Sequence, residues 1–325
     1  MRIAILGATG AVGQTILRVL EERGVEADEI VPLASERSRG SRIDWRGRSW
    51  EVRAPEPGVF RGCTLALFSA GASRSREWAP RAAAEGAVVI DNSSAWRMDP
   101  AVPLVVPEIN AHRIPDRPRG IIANPNCVTI QLALALEAIR RAAGLRRVVA
   151  STYQSVSGAG QRGVAALEAE LAGRPADQSP FASPIAGNVI PAIGDRDGEG
   201  WSEEEEKIRQ ESRKILGLPS LPVAATCVRV PVVVGHAVAA TVETERPLSR
   251  AEACAALAAM PGLVLADDLH DPLPRDAVGA DTVRVGRVRV DRDLPSVLHL
   301  WVVGDNLRKG AATNAVQIAE HVIRG

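Results

Sequence analysis

Aromatic side chains are scarce. They make up 3% of the 325 residues, with one tyrosine, three phenylalanines and six tryptophans. Apolar burial must therefore rest on Ala, Val, Leu and Ile. Cysteine is also sparse. Cys63, Cys127, Cys227 and Cys254 are widely spaced, no CxxC occurs, and no Cys/His group has zinc-ligand spacing. A disulfide framework and a structural metal are not expected. Neither sign of charge dominates, since 39 basic and 39 acidic residues give a formal net charge of 0. That balance argues against nucleic acid or an anionic membrane as partner. No apolar run reaches the roughly 18 residues of a membrane span. The apolar stretch after Arg2 is too short for a secretion signal and leads straight into a glycine turn. A cytoplasmic location is expected. No internal repeat or low-complexity tract occurs.

What is present fits a globular enzyme. The hydrophobic fraction of 46% is ordinary, and the length suffices for two domains with their own cores. Residues 2–6 form a short apolar strand. Gly7, Gly10 and Gly13 follow in a GxxGxxG spacing, and residues 14–23 carry helical periodicity up to Gly24. Strand, glycine turn and helix open a dinucleotide-binding unit, with the pyrophosphate expected at the helix N-terminus. A second strand, residues 29–34, leads to Ser35-Glu36-Arg37-Ser38-Arg39. Arginine at this point accommodates a ribose 2′-phosphate, so Arg37 and Ser38 favour NADP, while Glu36 leaves a ribose hydroxyl open. Further strands are expected at residues 64–69 and 87–90. The latter runs into a polar loop ending at Arg97.

In the second half, residues 147–152 read as a strand, followed by a polar and then glycine-rich stretch to Gly160. Residues 163–171 look helical, and residues 173–200 are irregular, with many Pro, Gly and Asp. Ser202 to Glu205 is a capping box that starts a helix ending at Gly217. Glu204 and Lys207 share one face of it, which is equally the pattern of a solvated helix. Residues 223–234 form one long strand-like run around Arg229, an arginine that needs an anionic partner if buried. Gly235-His236 leads to a strand over residues 237–243. Residues 249–259 suggest an Ala-rich helix, 283–290 an antiparallel strand and 296–303 the last strand. A terminal helix is expected to open from residues 304–310.

The chain is organised around Asn124-Pro125-Asn126-Cys127. Pro125 and the two asparagines belong to a turn, and the Leu- and Ala-rich stretch to Gly144 reads as a buried helix. Cys127 then stands where loop becomes helix. Backbone N–H groups converge there, and a thiol in that place is more often thiolate. A small buried core cysteine is the alternative.

Six stretches carry a resemblance. They are Gly7-Ala8-Thr9-Gly10-Ala11-Val12-Gly13, Asp91-Asn92-Ser93-Ser94-Ala95-Trp96-Arg97, Asn124-Pro125-Asn126-Cys127, Tyr153-Gln154-Ser155-Val156-Ser157-Gly158-Ala159-Gly160, Arg229-Val230-Pro231-Val232 with Gly235-His236, and Asp305-Asn306-Leu307-Arg308-Lys309-Gly310-Ala311-Ala312. In this order they resemble the aspartate-semialdehyde dehydrogenase family over essentially the full length. The resemblance implies an α/β protein. A Rossmann-type NADP-binding domain would span residues 1–126, completed by 306–325. A mixed α/β catalytic and dimerisation domain would span 127–305.

It implies Cys127 as nucleophile, His236 as acid/base and Gln154 as orienting residue. It assigns Arg97 and Lys207 to phosphate, Arg229 to the substrate carboxylate and Glu204 to its ammonium. For the cofactor it implies Gly7, Thr9, Gly10, Ala11, Val12, Gly13, Arg37, Ser38, Ser157, Gly158 and Asn306. A homodimer is implied, or a tetramer, with a small-molecule substrate and inorganic phosphate. The reaction implied is reversible reductive dephosphorylation of L-4-aspartyl phosphate through a Cys thioester, in lysine, threonine, methionine and diaminopimelate biosynthesis. Gly187 departs from the family pattern, which often has a large aromatic there. N-acetyl-γ-glutamyl-phosphate reductase, expected to have Gly in place of Asn126, is the near alternative. A CoA-thioester reductase and a non-catalytic NADP-binding paralogue stand behind it.

Overall fold

The computed structural model describes residues 1–324. Two compact units emerge, one from Met1–Pro125 with the chain from Ala311 onward, the other from Asn126–Gly310.

The first unit is built on β1 (Arg2–Leu6), α1 (Ala11–Glu22), β2 (Glu29–Leu33), β3 (Arg42–Trp45), β4 (Arg48–Glu51), β5 (Leu65–Phe68), α2 (Ala72–Ala84), β6 (Val88–Asp91), α3 (Pro107–Asn110), β7 (Ile121–Ala123) and the final helix α8 (Thr313–Arg324). Five of its strands form a sheet in the order β2-β1-β5-β6-β7, with every pairing parallel. Parallel strands covered on both faces are apolar throughout, and β1 and β5 are buried accordingly. The chain moves one way from β1 to β2 and the other way from β5 onward. The sheet is thus doubly wound, of Rossmann type, with its switch point between β1 and β5. Ile16, Leu17, Val19 and Leu20 of α1 and Val316, Ile318 and Ala319 of α8 join the core with Ile3, Ile5, Leu65 and Leu67. β3 and β4 form a separate hairpin.

The second unit comprises α4 (Cys127–Ala143), β8 (Arg147–Gln154), α5 (Gln161–Leu171), α6 (Glu203–Leu216), β9 (Val223–Arg229), β10 (His236–Glu243), α7 (Arg250–Ala258), β11 (Leu263–Leu265), β12 (Val283–Val290) and β13 (Val297–Gly304). Its six strands lie in the order β11-β12-β13-β10-β8-β9, a mixed sheet. β8 runs antiparallel to β10 and parallel to β9, and β10 runs antiparallel to β13. One edge of the sheet therefore gathers the ends of β8, β9 and β13 with the start of β10. α4 is buried from Val128 to Ile139 and packs on α6, α7, β10 and β13.

Two expectations change. The long run over residues 223–234 is a strand only to Arg229. Val230 still donates to the Gln154 carbonyl, but Pro231 has no N–H and cannot extend the ladder. Arg229 thus ends a strand instead of sitting within one. The last helix begins at Thr313, after a π-helical turn over Arg308–Ala312. No helix among the described residues is long and apolar enough to cross a membrane.

Candidate active site

Asn126 is the N-cap of α4. Its Oδ1 accepts from the amides of Val128 at 2.9 Å and Thr129 at 3.3 Å, satisfying donors that a helix start leaves open. Two buried carboxylates of α6 hold Asn126 itself. Glu204 Oε1 accepts from Asn126 Nδ2 at 2.9 Å, and Glu211 Oε2 accepts from the Asn126 amide at 2.6 Å. Residues 204 and 211 are seven apart, two turns on one helix face. Cys127, half-buried, begins α4 just after this clamp. Gly310 approaches it so closely that a Cβ there would lie 3.1 Å from the Cys127 Cβ.

The four glutamates at the start of α6 divide their tasks. Ser202 and Glu205 form the expected capping box, and Glu205 also accepts from the Cys227 amide at 3.0 Å. Glu206 pairs with Arg209. Glu203 is exposed and lies 3.4 Å from Lys207. Glu204 alone is buried, with Lys207 Nζ 3.6 Å away.

Arg229 and His236 meet at the sheet edge. Arg229 is buried, and its Nη1 donates to the Ser155 carbonyl at 2.7 Å. Burial pulls its guanidinium below the usual value, opposed chiefly by the charge of Glu204. His236 is fully buried and its Nδ1 lies 3.0 Å from both the amide N and the Oγ of Ser155. Burial, then the Arg229 charge, pushes it down to about 3, so the ring is neutral near neutral pH. Gly158 is required between them. A Cβ at 158 would lie 2.7 Å from Arg229 Nη1 and 3.3 Å from His236 Nε2.

Asn306 closes the far side. Its Oδ1 accepts from the Gly235 amide at 2.9 Å, and its Nδ2 donates to Ser157 Oγ at 2.9 Å. Gln154 lies opposite Arg229 in the β8–β9 register, with its amide donating to Thr152 Oγ1 at 3.2 Å. Cys227 is buried below them, its thiol pushed up to about 12.

In the first unit, Gly7 has φ +93°, and a Cβ there would overlap the Ser69 carbonyl. Gly10 caps α1 without a side chain, and no acidic residue occupies the first turn. A bare helix start with glycines pressed against the switch point fits a dinucleotide pyrophosphate. Thr9, Ala11, Val12 and Gly13 belong to this turn. After β2, Glu36 lies 3.5 Å from Arg39, leaving Arg37 as an exposed guanidinium beside Ser38. Arg97 is buried at the carboxyl edge of the sheet. It donates to the carbonyls of Asn124 at 3.0 Å and Asn92 at 2.7 Å.

Residues 2–117 match the family model described as "Semialdehyde dehydrogenase, NAD binding domain", and residues 136–309 match "Semialdehyde dehydrogenase, dimerisation domain". The aspartate-semialdehyde dehydrogenase of Aquifex aeolicus is 49% identical over 99% of this chain and 98% of its own. That of Bacillus subtilis is 45% identical over 98% and 96%. The crystal structure of aspartate semialdehyde dehydrogenase II from Vibrio cholerae, complexed with ASA, superposes with a TM-score of 0.96 at 48% identity, covering 99% of this chain and 98% of that one. The chain belongs to the aspartate-semialdehyde dehydrogenase family.

Within this aspartate-semialdehyde dehydrogenase fold, the second unit gathers Glu204, Lys207, Arg229, His236, Gly158, Ser157, Asn306 and Gln154 near the start of α4. Arg97, Arg37, Ser38 and the glycine turn belong to the first unit. Sequence reading missed Ser155 and Glu211. The seven-residue spacing from Glu204 to Glu211 was the available signal for the second, whereas Ser155 lay within the stretch over residues 153–160 with no role of its own. Among the described residues, no group of three or more His, Cys, Asp or Glu side chains could hold a metal.

Proposed function

We infer that this protein is an NADP-dependent aspartate-semialdehyde dehydrogenase working through an acyl-thioester on Cys127. The observation that carries the reading is the meeting of Arg229 and His236 around Gly158, with Glu204 holding Asn126 just before Cys127 at the start of α4. Cys127 attacks the aldehyde carbon to give a tetrahedral thiohemiacetal. A thiol suits this step because it is both a strong nucleophile and a good leaving group. Bound NADP⁺ supplies the hydride acceptor that the oxidation requires. Phosphate, held by Arg97 and Lys207, then attacks the thioester and releases an acyl phosphate. In biosynthesis the steps run backwards.

Arg229 binds the substrate carboxylate, as a planar two-pronged donor does best. Glu204 receives the ammonium. Gln154 orients the reacting group. Gly7, the turn from Thr9 to Gly13, the pair Arg37 and Ser38, and Ser157, Gly158 and Asn306 would hold the cofactor. The NADP assignment rests on Arg37, and the homodimer on the dimerisation-domain match.

An N-acetylglutamate semialdehyde substrate has no free ammonium to offer Glu204. A coupled absorbance assay compares the two semialdehydes, each with phosphate and with NADP⁺ or NAD⁺. Turnover should be confined to aspartate semialdehyde and be faster with NADP⁺. Preference for the acetylated substrate would overturn the assignment.

A further inference from the structure

The irregular segment between α5 and α6 holds Arg229 in two ways. Ile190 and Arg229 exchange both backbone hydrogen bonds, at 3.0 Å from the Ile190 amide and 2.8 Å from the Arg229 amide. That antiparallel bridge fixes where the arginine leaves the end of β9. The second hold is on the side chain. The Arg229 guanidinium carbon lies over the Phe181 ring, 6.0 Å from its centroid. A planar guanidinium stacks on an aromatic face, and the attraction is stronger where the cation is out of water, as buried Arg229 is. The ring is itself built in. Phe181 and Ile190 pack against Val156, Leu167 and Ile185, a small core apart from the main one. Gly163 of α5 leaves the ring its room, because a Cβ there would lie 3.2 Å from Phe181 Cζ. Glu170 of the same helix accepts from the amides of Ile185 and Ala186, each at 2.7 Å.

We propose that Phe181 is a positioning residue for substrate binding, its ring face setting the tilt of the Arg229 guanidinium, with residues 181–190 as the support that carries it. This rests on the reading of Arg229 as the partner of the substrate carboxylate. Two parallel N–H···O bonds to a carboxylate require the plane of the guanidinium to be fixed as well as its place. The Ser155 carbonyl anchors one nitrogen of that plane at 2.7 Å. One anchored nitrogen leaves the plane free to rotate, and the ring face removes that freedom. Filling the small core would need only an apolar side chain of the right bulk, whereas setting the tilt needs the electron-rich face. The carboxylate is not the reacting group of the semialdehyde. Its contact strengthens binding of ground state and transition state alike, so the effect of Phe181 falls on KM and not on kcat.

Steady-state kinetics of the whole enzyme with two replacements at position 181 tests this. Phe181→Leu keeps apolar bulk and loses the ring. Its KM for aspartate semialdehyde should rise about two- to thirtyfold, with kcat and the KM for phosphate unchanged. Difluorophenylalanine, fluorinated at the two meta carbons, keeps the shape of the ring, adds nothing at Cζ toward Gly163 and drains charge from the ring face. Its KM for the semialdehyde should lie between those of the wild type and Phe181→Leu. An unchanged KM in Phe181→Leu would overturn the proposal. So would a wild-type KM in the difluoro enzyme, because the ring would then act by bulk alone. An equal rise in the KM for phosphate, the mark of a site loosened as a whole, would overturn it too. A wild-type enzyme inactive on aspartate semialdehyde would contradict the reading of the site itself. Normal wild-type turnover with any of those three results would contradict the role of Phe181 alone.

Discussion

Gly158 shows how little room the site leaves at single positions. Any side chain there would meet Arg229 Nη1 at 2.7 Å. Gly158→Ala should displace the guanidinium and raise KM for the semialdehyde about tenfold, or ~1.4 kcal/mol of lost binding, while unfolding midpoints change little. Steady-state kinetics beside urea denaturation checks this. His236 gives a pH dependence whose sign can be worked out. Its folded value of about 3 lies below the ordinary 6.5. Between these values the unfolded chain binds a proton that the folded one does not. Stability fully present above 6.5 is therefore lost as pH falls toward about 3. His236→Gln does not titrate, so its urea midpoint should drop less than that of the wild type between pH about 7 and about 5. Some residues of the site were readable one at a time. Asn126 was read as part of a turn before a helical run, and the structure makes it the N-cap of that helix. Ser155 was not readable, because it acts through a backbone amide on a ring 81 residues away.

At the scale of elements, the meeting of α4 and α6 sets the nucleophile's place. Glu211 is buried and accepts from the Asn126 amide at 2.6 Å. Glu211→Ala removes that acceptor and leaves a buried donor unsatisfied, at a cost of about 1–3 kcal/mol. Urea unfolding should show the loss, with a fall in turnover because the start of α4 is no longer held. The helix α4 could be read from the sequence, since Pro125 and Gly144 bracket a Leu- and Ala-rich run without Gly or Pro. The strand β9 was read too long. Valines on both sides of Pro231 give a strand-like composition, and only the missing N–H of that proline marks the end. The hairpin of β3 and β4 and the short strand β7 were missed. β7 has three residues, too few for periodicity to register. The Glu211 contact spans 85 residues of chain, beyond any local pattern.

At the scale of the whole molecule, the doubly wound sheet was legible from its strand, glycine turn and helix, and the mixed sheet of the second unit was not. Its order β11-β12-β13-β10-β8-β9 interleaves strands far apart in sequence, and no spacing along the chain fixes such an arrangement. The dimerisation-domain match over residues 136–309 leads to a prediction for the assembly. Analytical ultracentrifugation should find twice the chain mass at assay concentrations, and a monomer retaining full activity would contradict it.

The account as a whole stands on Cys127 carrying the acyl group. Cys127→Ser keeps the shape of the α4 start but gives a far weaker nucleophile. The deciding measurement is NADPH formation from aspartate semialdehyde, phosphate and NADP⁺ by the wild type and by Cys127→Ser, each folded to the same extent. The wild type should produce NADPH and Cys127→Ser none that can be detected. Near wild-type turnover in Cys127→Ser would contradict the thioester route.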